Sequence, residues 1–103
     1  MDNKLEKKIQ AEILEYLRGN HRKSKQGIGG WWINNHGGDP YMPRGIPDIT
    51  GCYHGKFAAI EVKRPGETPT TIQKKTMGEI EAAGGKVIVA YSLDDVVKMI
   101  SEL

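Results

Sequence analysis

A single cysteine, Cys52, excludes any internal disulfide. The three histidines are scattered and no CxxC pair occurs, so zinc-ligand spacing is absent and any metal must be held by oxygen. No run approaches the roughly 18 apolar residues of a membrane span, and the Lys- and Glu-rich stretch 1–20 lacks the apolar centre of a signal peptide. The expected address is the cytoplasm, with no membrane partner and no small-molecule cofactor. Neither sign of charge dominates: 15 Lys and Arg against 13 Asp and Glu leave a net +2, which says little about polyanion binding, so the placement of the charges matters more than their total. At 103 residues, 38% apolar and 27% charged, the chain is expected to form one domain over 1–103 with one small core.

Residues 2–18 read as a helix, with Leu5, Ile9, Ile13, Tyr16 and Leu17 at the 3.6-residue period that lines one face. Glu6 falls inside that stripe. It is either a first-turn acid favoured by the helix dipole or a carboxylate aimed into a metal site. Gly19-Asn20 stops the helix, and His21 to Gln26 follows as a mobile basic loop in which Arg22, Lys23 and Lys25 either stay solvated or contact phosphate. Trp31-Trp32-Ile33 reads as a strand. Adjacent strand residues point to opposite faces, so one Trp is expected in the core and the other nearer the surface, against a base or a second subunit.

The stretch from Asn34 to Gly45 holds three Gly and two Pro and reads as a long loop, with His36 a possible substrate contact and Arg44 near its end. Pro47 pushes Ile46 toward extended geometry and suits a strand entry, which puts Asp48 at a strand mouth. Strands over 48–53 and 57–63, joined through His54-Gly55, make a hairpin. In the second arm Phe57, Ala59, Glu61 and Lys63 share one face, and Ala58, Ile60 and Val62 share the other. Thr70 to Gln73 fits a capping box, opening a helix with Ile72, Met77 and Ile80 on its apolar side and Gly84-Gly85 at its close. Residues 86–91 read as a buried strand, and Ser92 to Asp95 as a second box-like start to a last helix through Ile100. The element order is α-β-β-β-α-β-α.

Residues 45–63 organise this chain. Phosphodiester hydrolysis needs a cation to neutralise phosphate oxygens and a more nucleophilic water. Magnesium keeps several waters, so one or two carboxylates suffice, and Asp48 and Glu61 on paired strands supply them. The Lys63 ammonium beside them can orient water or stabilise developing charge. A plain cross-strand salt bridge would use the same residues.

Gly45-Ile46-Pro47-Asp48-Ile49, Ala59-Ile60-Glu61-Val62-Lys63 and Gln73 resemble the PD-(D/E)XK nucleases, and more closely the virus-type replication-repair nuclease domain, VRR-NUC, of the stand-alone phage and bacterial type. The likeness runs from about Glu6 to Ile100. It implies a restriction-endonuclease-like α/β fold, αβββαβα, with a four-stranded mixed sheet flanked by helices. It also implies Asp48, Glu61 and the Val62 carbonyl as ligands of Mg2+ (or Mn2+), Lys63 as the catalytic lysine, and site roles for Gln73 and Glu6. Gln73 thus carries two readings, helix cap and site residue. The expected function is a metal-dependent DNA endonuclease acting on four-way junctions or other branched DNA, with basic residues 22–25 and Arg44 near the backbone. A homodimer is expected, because a domain this small has little surface with which to grip a duplex. The alternatives are a DNA-junction-binding module that does not cut and a structural subunit of a phage complex.

Overall fold

The protein is described from a computed structural model over residues 4–35 and 41–103. Helix α1, Lys4–Arg18, buries Ile9, Ile13 and Leu17, the four-residue repeat that keeps one face turned to the core. Leu5, expected on that stripe, is exposed, and Tyr16 only flanks the core.

The segment expected as a mobile basic loop is folded. Strands β1, Gly19–Asn20, and β2, Lys25–Gln26, pair antiparallel around a 3-10 turn over His21–Lys23. Ser24 at φ 53 closes the turn, and the Asn20 side chain accepts the Arg22 amide. On α1, Glu15 accepts from Lys25 at 2.7 Å and Asn20 at 2.9 Å, and pairs with Lys23 at 3.3 Å. Two-residue strands leave no periodic signal, which is why the sequence shows only basic residues there.

The main sheet has the order β3-β4-β5-β6: Trp31–Asn34, Ile49–Tyr53, Lys56–Val62 and Lys86–Ala90. The first three are antiparallel. His54 and Gly55, both at positive φ, form the two-residue turn between β4 and β5, a geometry that matches the twist of the flanking strands. Helix α2, Thr71–Ala82, carries the chain across to β6, which lies parallel to β5, and α3, Leu93–Ser101, ends the fold. The expected mixed four-stranded sheet flanked by helices is the one found.

Alternation along β5 sorts its side chains as expected. Ala58, Ile60 and Val62 join Trp32 and Ile49 in the core against α1 and against Val96, Met99 and Ile100 of α3. Ala59 and Glu61 face the other way, beneath α2, and are buried too. Several expectations are corrected. Strand β6 is an edge strand whose residues 87–89 are half-buried, since only β5 pairs with it. Ile72 stays 45% exposed, so Met77 is the one fully buried side chain of α2. Ser92 makes no side-chain cap; Asp95 instead accepts the Tyr91 amide at 2.8 Å. His36 lies outside the described residues.

The two tryptophans divide as strand geometry demands. Trp32 is 5% exposed and donates its indole N–H to the Gly29 carbonyl at 2.9 Å, while Trp31 is 66% exposed. Trp32→Ala is expected to lower unfolding free energy by about 3–5 kcal/mol in urea titrations, and Trp31→Ala by no more than about 0.5 kcal/mol. Equal losses would contradict this placement.

Candidate active site

Glycine at position 45 is required by both backbone and neighbours. Its φ is +82°, and a Cβ there would stand 2.6 Å from Ile72 Cγ2 and 2.8 Å from the Ile72 carbonyl oxygen. The loop therefore lies directly on the first turn of α2 and delivers buried Pro47 and then Asp48 to the mouth of β4. Asn35 holds that entry from the β3 side. Its backbone amide donates to the Asp48 carbonyl at 2.7 Å, and its side-chain amide donates to the Pro47 carbonyl at 2.9 Å and to Thr50 Oγ1 at 3.1 Å.

The ladder pairs Thr50 with Ala59 and Ile49 with Ile60, so one step further sets Asp48 opposite Glu61. Two carboxylates directly across a strand pair repel each other, and here they are also withdrawn from water. Glu61 is 2% exposed. Its Oε2 accepts the Gln73 side-chain amide at 3.1 Å and lies 3.9 Å from Lys63 Nζ, whose side chain is only 12% exposed. Asp48 Oδ2 accepts the Val62 amide at 2.8 Å. The next step of the register puts Val62 opposite Pro47, which has no amide hydrogen to give the Val62 carbonyl.

Burial, reinforced by the charge of Asp48, pushes the Glu61 carboxyl up to about 8, with Lys63 opposing. Asp48 is also raised by burial, against the pull of the Val62 amide, a hydrogen bond with Glu61, and Lys63. Of the two, Glu61 keeps its proton to the higher pH. With neither acid protonated, Glu61 Oε1 is buried without any hydrogen-bond donor. A divalent cation answers both problems, because it neutralises the facing charges and supplies the missing partner for Oε1. The carboxylates of Asp48 and Glu61 are the hard oxygen donors that Mg2+ takes. Among the described residues no group of three or more His, Cys, Asp or Glu side chains is placed to hold a metal ion.

Glu6 is half-buried on α1, and its carboxyl is raised by burial and felt by Lys63, Asp48, Glu67 and Arg64. It therefore belongs to the electrostatic surroundings of the pair. Gln73 serves both of its readings at once: its Oε1 accepts the Thr70 amide at 2.8 Å in a complete capping box, and its Nε2 donates to Glu61. Lys23 and Lys25 are not gathered here. Their partner Glu15 lies nine positions beyond Glu6 on α1, about 14 Å along the helix. Arg22 and Arg44 are exposed, Arg44 beside Gly45 at the entry loop. The residues that sequence reasoning missed are Arg64 and Glu67. The signal for them was Pro65-Gly66, since a turn with Pro then Gly at its centre brings the side chains on either side of it together.

The folded protein holds the Glu61 proton more tightly than the unfolded chain does. Stability from it is complete below the ordinary glutamate value of 4.5 and is lost as pH rises toward about 8. Metal-free protein is expected to unfold progressively more easily over that window. Glu61→Gln, a neutral mimic, should stabilise the fold by roughly 1–3 kcal/mol at pH 8 and by little at pH 5. Thermal or urea unfolding at the two pH values checks this, and a variant less stable than the parent at pH 8 would refute it.

No family model matches the chain. A phage protein named "Putative nuclease p44", from Acyrthosiphon pisum secondary endosymbiont phage 1, is 40% identical over 52 residues, covering 50% of this chain and 56% of that protein. The match thus spans little more than half the length of that relative. A solved structure titled "VRR_NUC domain" superposes with a TM-score of 0.69 over 94% of this chain and 95% of its own, at 21% identity. A second, titled "VRR_NUC domain protein", gives a TM-score of 0.70 over 93% of this chain and 84% of its own, at 19% identity. The chain has the fold of the VRR_NUC domain, with Asp48, Glu61 and Lys63 gathered at one end of its β4–β5 hairpin.

Proposed function

We propose that this chain is a Mg2+- or Mn2+-dependent DNA endonuclease acting on branched DNA. One observation carries the reading: a buried carboxylate, Glu61, faces the half-buried carboxylate of Asp48, its Oε1 has no hydrogen-bond partner, and a shielded lysine stands beside it. A surface salt bridge would need neither the burial nor the second acid. The VRR_NUC fold and the phage relative named as a nuclease support the same reading.

Asp48, Glu61 and the Val62 carbonyl would hold the cation, with Glu6 a further carboxylate at the edge. A divalent ion bound there neutralises charge on phosphate oxygens and makes a water more nucleophilic. Lys63 keeps its ammonium next to the developing charge, where partial burial strengthens its field. Gln73, anchored by its own helix cap, fixes the orientation of Glu61. The Val62 amide does the same for Asp48. Exposed Arg22 and Arg44 are available to the DNA backbone, in contacts that position the duplex without reading its bases. A phage relative fits a place of action in the cytoplasm of a bacterial host.

Pairing of two copies is part of this reading. Trp31, Cys52 and Phe57 stand in one cross-strand row on the sheet face away from α1 and α3, and all three are exposed, as is Ile33 beside them. A second copy covering that face would bury the apolar row and provide two cutting centres for one substrate.

Incubated with junction, flap, nicked, single-stranded and duplex DNA, the protein is expected to cut branched DNA with Mg2+ or Mn2+. Asp48→Ala and Lys63→Ala should each cut at least about a hundredfold more slowly. Variants as active as the parent would end the proposal. Sedimentation should give a dimer mass that Trp31→Glu converts to a monomer, whereas a monomeric parent at working concentration would remove the pairing.

A further inference from the structure

Immediately after Lys63 the chain makes a tight turn, Arg64-Pro65-Gly66-Glu67. Gly66 lies at φ +91, and the Glu67 amide donates to the Arg64 carbonyl at 3.0 Å. Proline then glycine at the two central positions is the sequence of a type II turn, and its closure brings the flanking side chains together. Arg64 Nε donates to Glu67 Oε1 in an ion pair. A second tie comes from outside the turn: the Tyr91 hydroxyl, at the end of β6, donates to the Glu67 carbonyl at 3.0 Å. The backbone of this turn is therefore closed on itself and tied at Glu67 to Tyr91, and the side-chain pair is the part that can change.

The pair sits at the rim of the carboxylate centre. Arg64 adjoins Lys63, and both Arg64 and Glu67 act electrostatically on Glu6, whose other charged neighbours are Lys63 and Asp48. Glu67 is the more accessible partner, its side chain 41% exposed against 23% for Arg64. An acid held on an arginine beside a centre that must receive phosphate places there a group with the charge and acceptor geometry of the ligand itself. The pair is open to water on its Glu67 side, where screening weakens it and a phosphate can take the place of the carboxylate.

We propose that Arg64 binds a DNA phosphate at the rim of the centre and that Glu67 occupies its guanidinium as an internal stand-in until DNA displaces it. This rests on the nuclease reading and adds to it a binding residue and its built-in competitor. Lys63 and Arg64 then divide the work of one strand end: the lysine faces Glu61 inside, and the arginine meets the backbone outside. The Pro-Gly turn and the Tyr91 tether keep the guanidinium in place while Glu67 swings away.

Anisotropy titrations with a fluorescein-labelled duplex and a labelled four-way junction, in EDTA so that binding is read without cleavage, test this over a range of salt. Arg64→Ala is expected to weaken binding and to make the slope of log affinity against log salt shallower by about 1, the loss of one phosphate contact. Arg64→Lys should recover most of the slope. Glu67→Gln is expected to tighten binding about three- to tenfold in the parent and to have no effect in the Arg64→Ala background. Thermal unfolding confirms that each variant is folded. An equal gain from Glu67→Gln in both backgrounds would show that Glu67 acts only by general repulsion, and an unchanged slope in Arg64→Ala would show no phosphate contact; either overturns the inference while leaving the nuclease reading intact. Absence of any salt-dependent DNA binding by the parent would instead overturn the nuclease reading, and this inference with it.

Discussion

Two carboxylates set directly across a buried strand pair constrain everything near them. Asp48 and Glu61 face each other one rung beyond the pair Ile49–Ile60, so their proximity follows from the register of the hairpin. A register slip of one residue would turn Glu61 into the core beneath α1 and bring Val62 to this face. The hydrophobic alternation of Ala58, Ile60 and Val62 forbids that slip, and so the core that stabilises the sheet also aims the acids.

The surroundings are arranged to tolerate this charge without cancelling it. The Val62 amide serves Asp48 Oδ2, the Gln73 side chain and Lys63 both serve Glu61 Oε2, and Glu61 Oε1 is left over. A structural ion pair would be expected to satisfy all its oxygens. A site prepared for a cation would not. Gln73 illustrates the economy of the arrangement, because one side chain closes the N-terminal cap of α2 and restrains Glu61 from the same position. The helix that covers this face of the sheet is thereby tied to the carboxylate it covers.

Around the pair, charge is sorted into separate districts. Glu6, Lys63, Arg64 and Glu67 influence one another at one end of the sheet. Lys23 and Lys25 are gathered on Glu15, whose carboxyl the Lys25 and Asn20 contacts hold down at about 2, well along α1 from Glu6. Basic residues that look alike in the sequence thus differ in their partners: Lys23 and Lys25, exposed themselves, pair with Glu15, and Arg22 and Arg44 are exposed elsewhere.

The order of the three helices and the four strands of the main sheet, the hairpin, the faces of β5 and the identity of the paired acids were legible in the sequence, because each depends on short-range rules, whereas the β1–β2 pair was not. Alternation sets faces, Pro47 marks a strand entry, and glycines mark turns. Even the division between Trp31 and Trp32 was legible, although which one is buried was not. Tertiary structure alone decided what depends on distant partners. Leu5 is exposed although it shares the stripe of Ile9 and Ile13, and Lys23 and Lys25 pair with Glu15, which no local pattern announces. Arg64 and Glu67 acquire meaning only when Tyr91 secures their turn beside Lys63. Burial is a property of the whole packing, so the raised Glu61 carboxyl and its orphaned oxygen, the features on which the functional reading rests, could not be read from any local pattern.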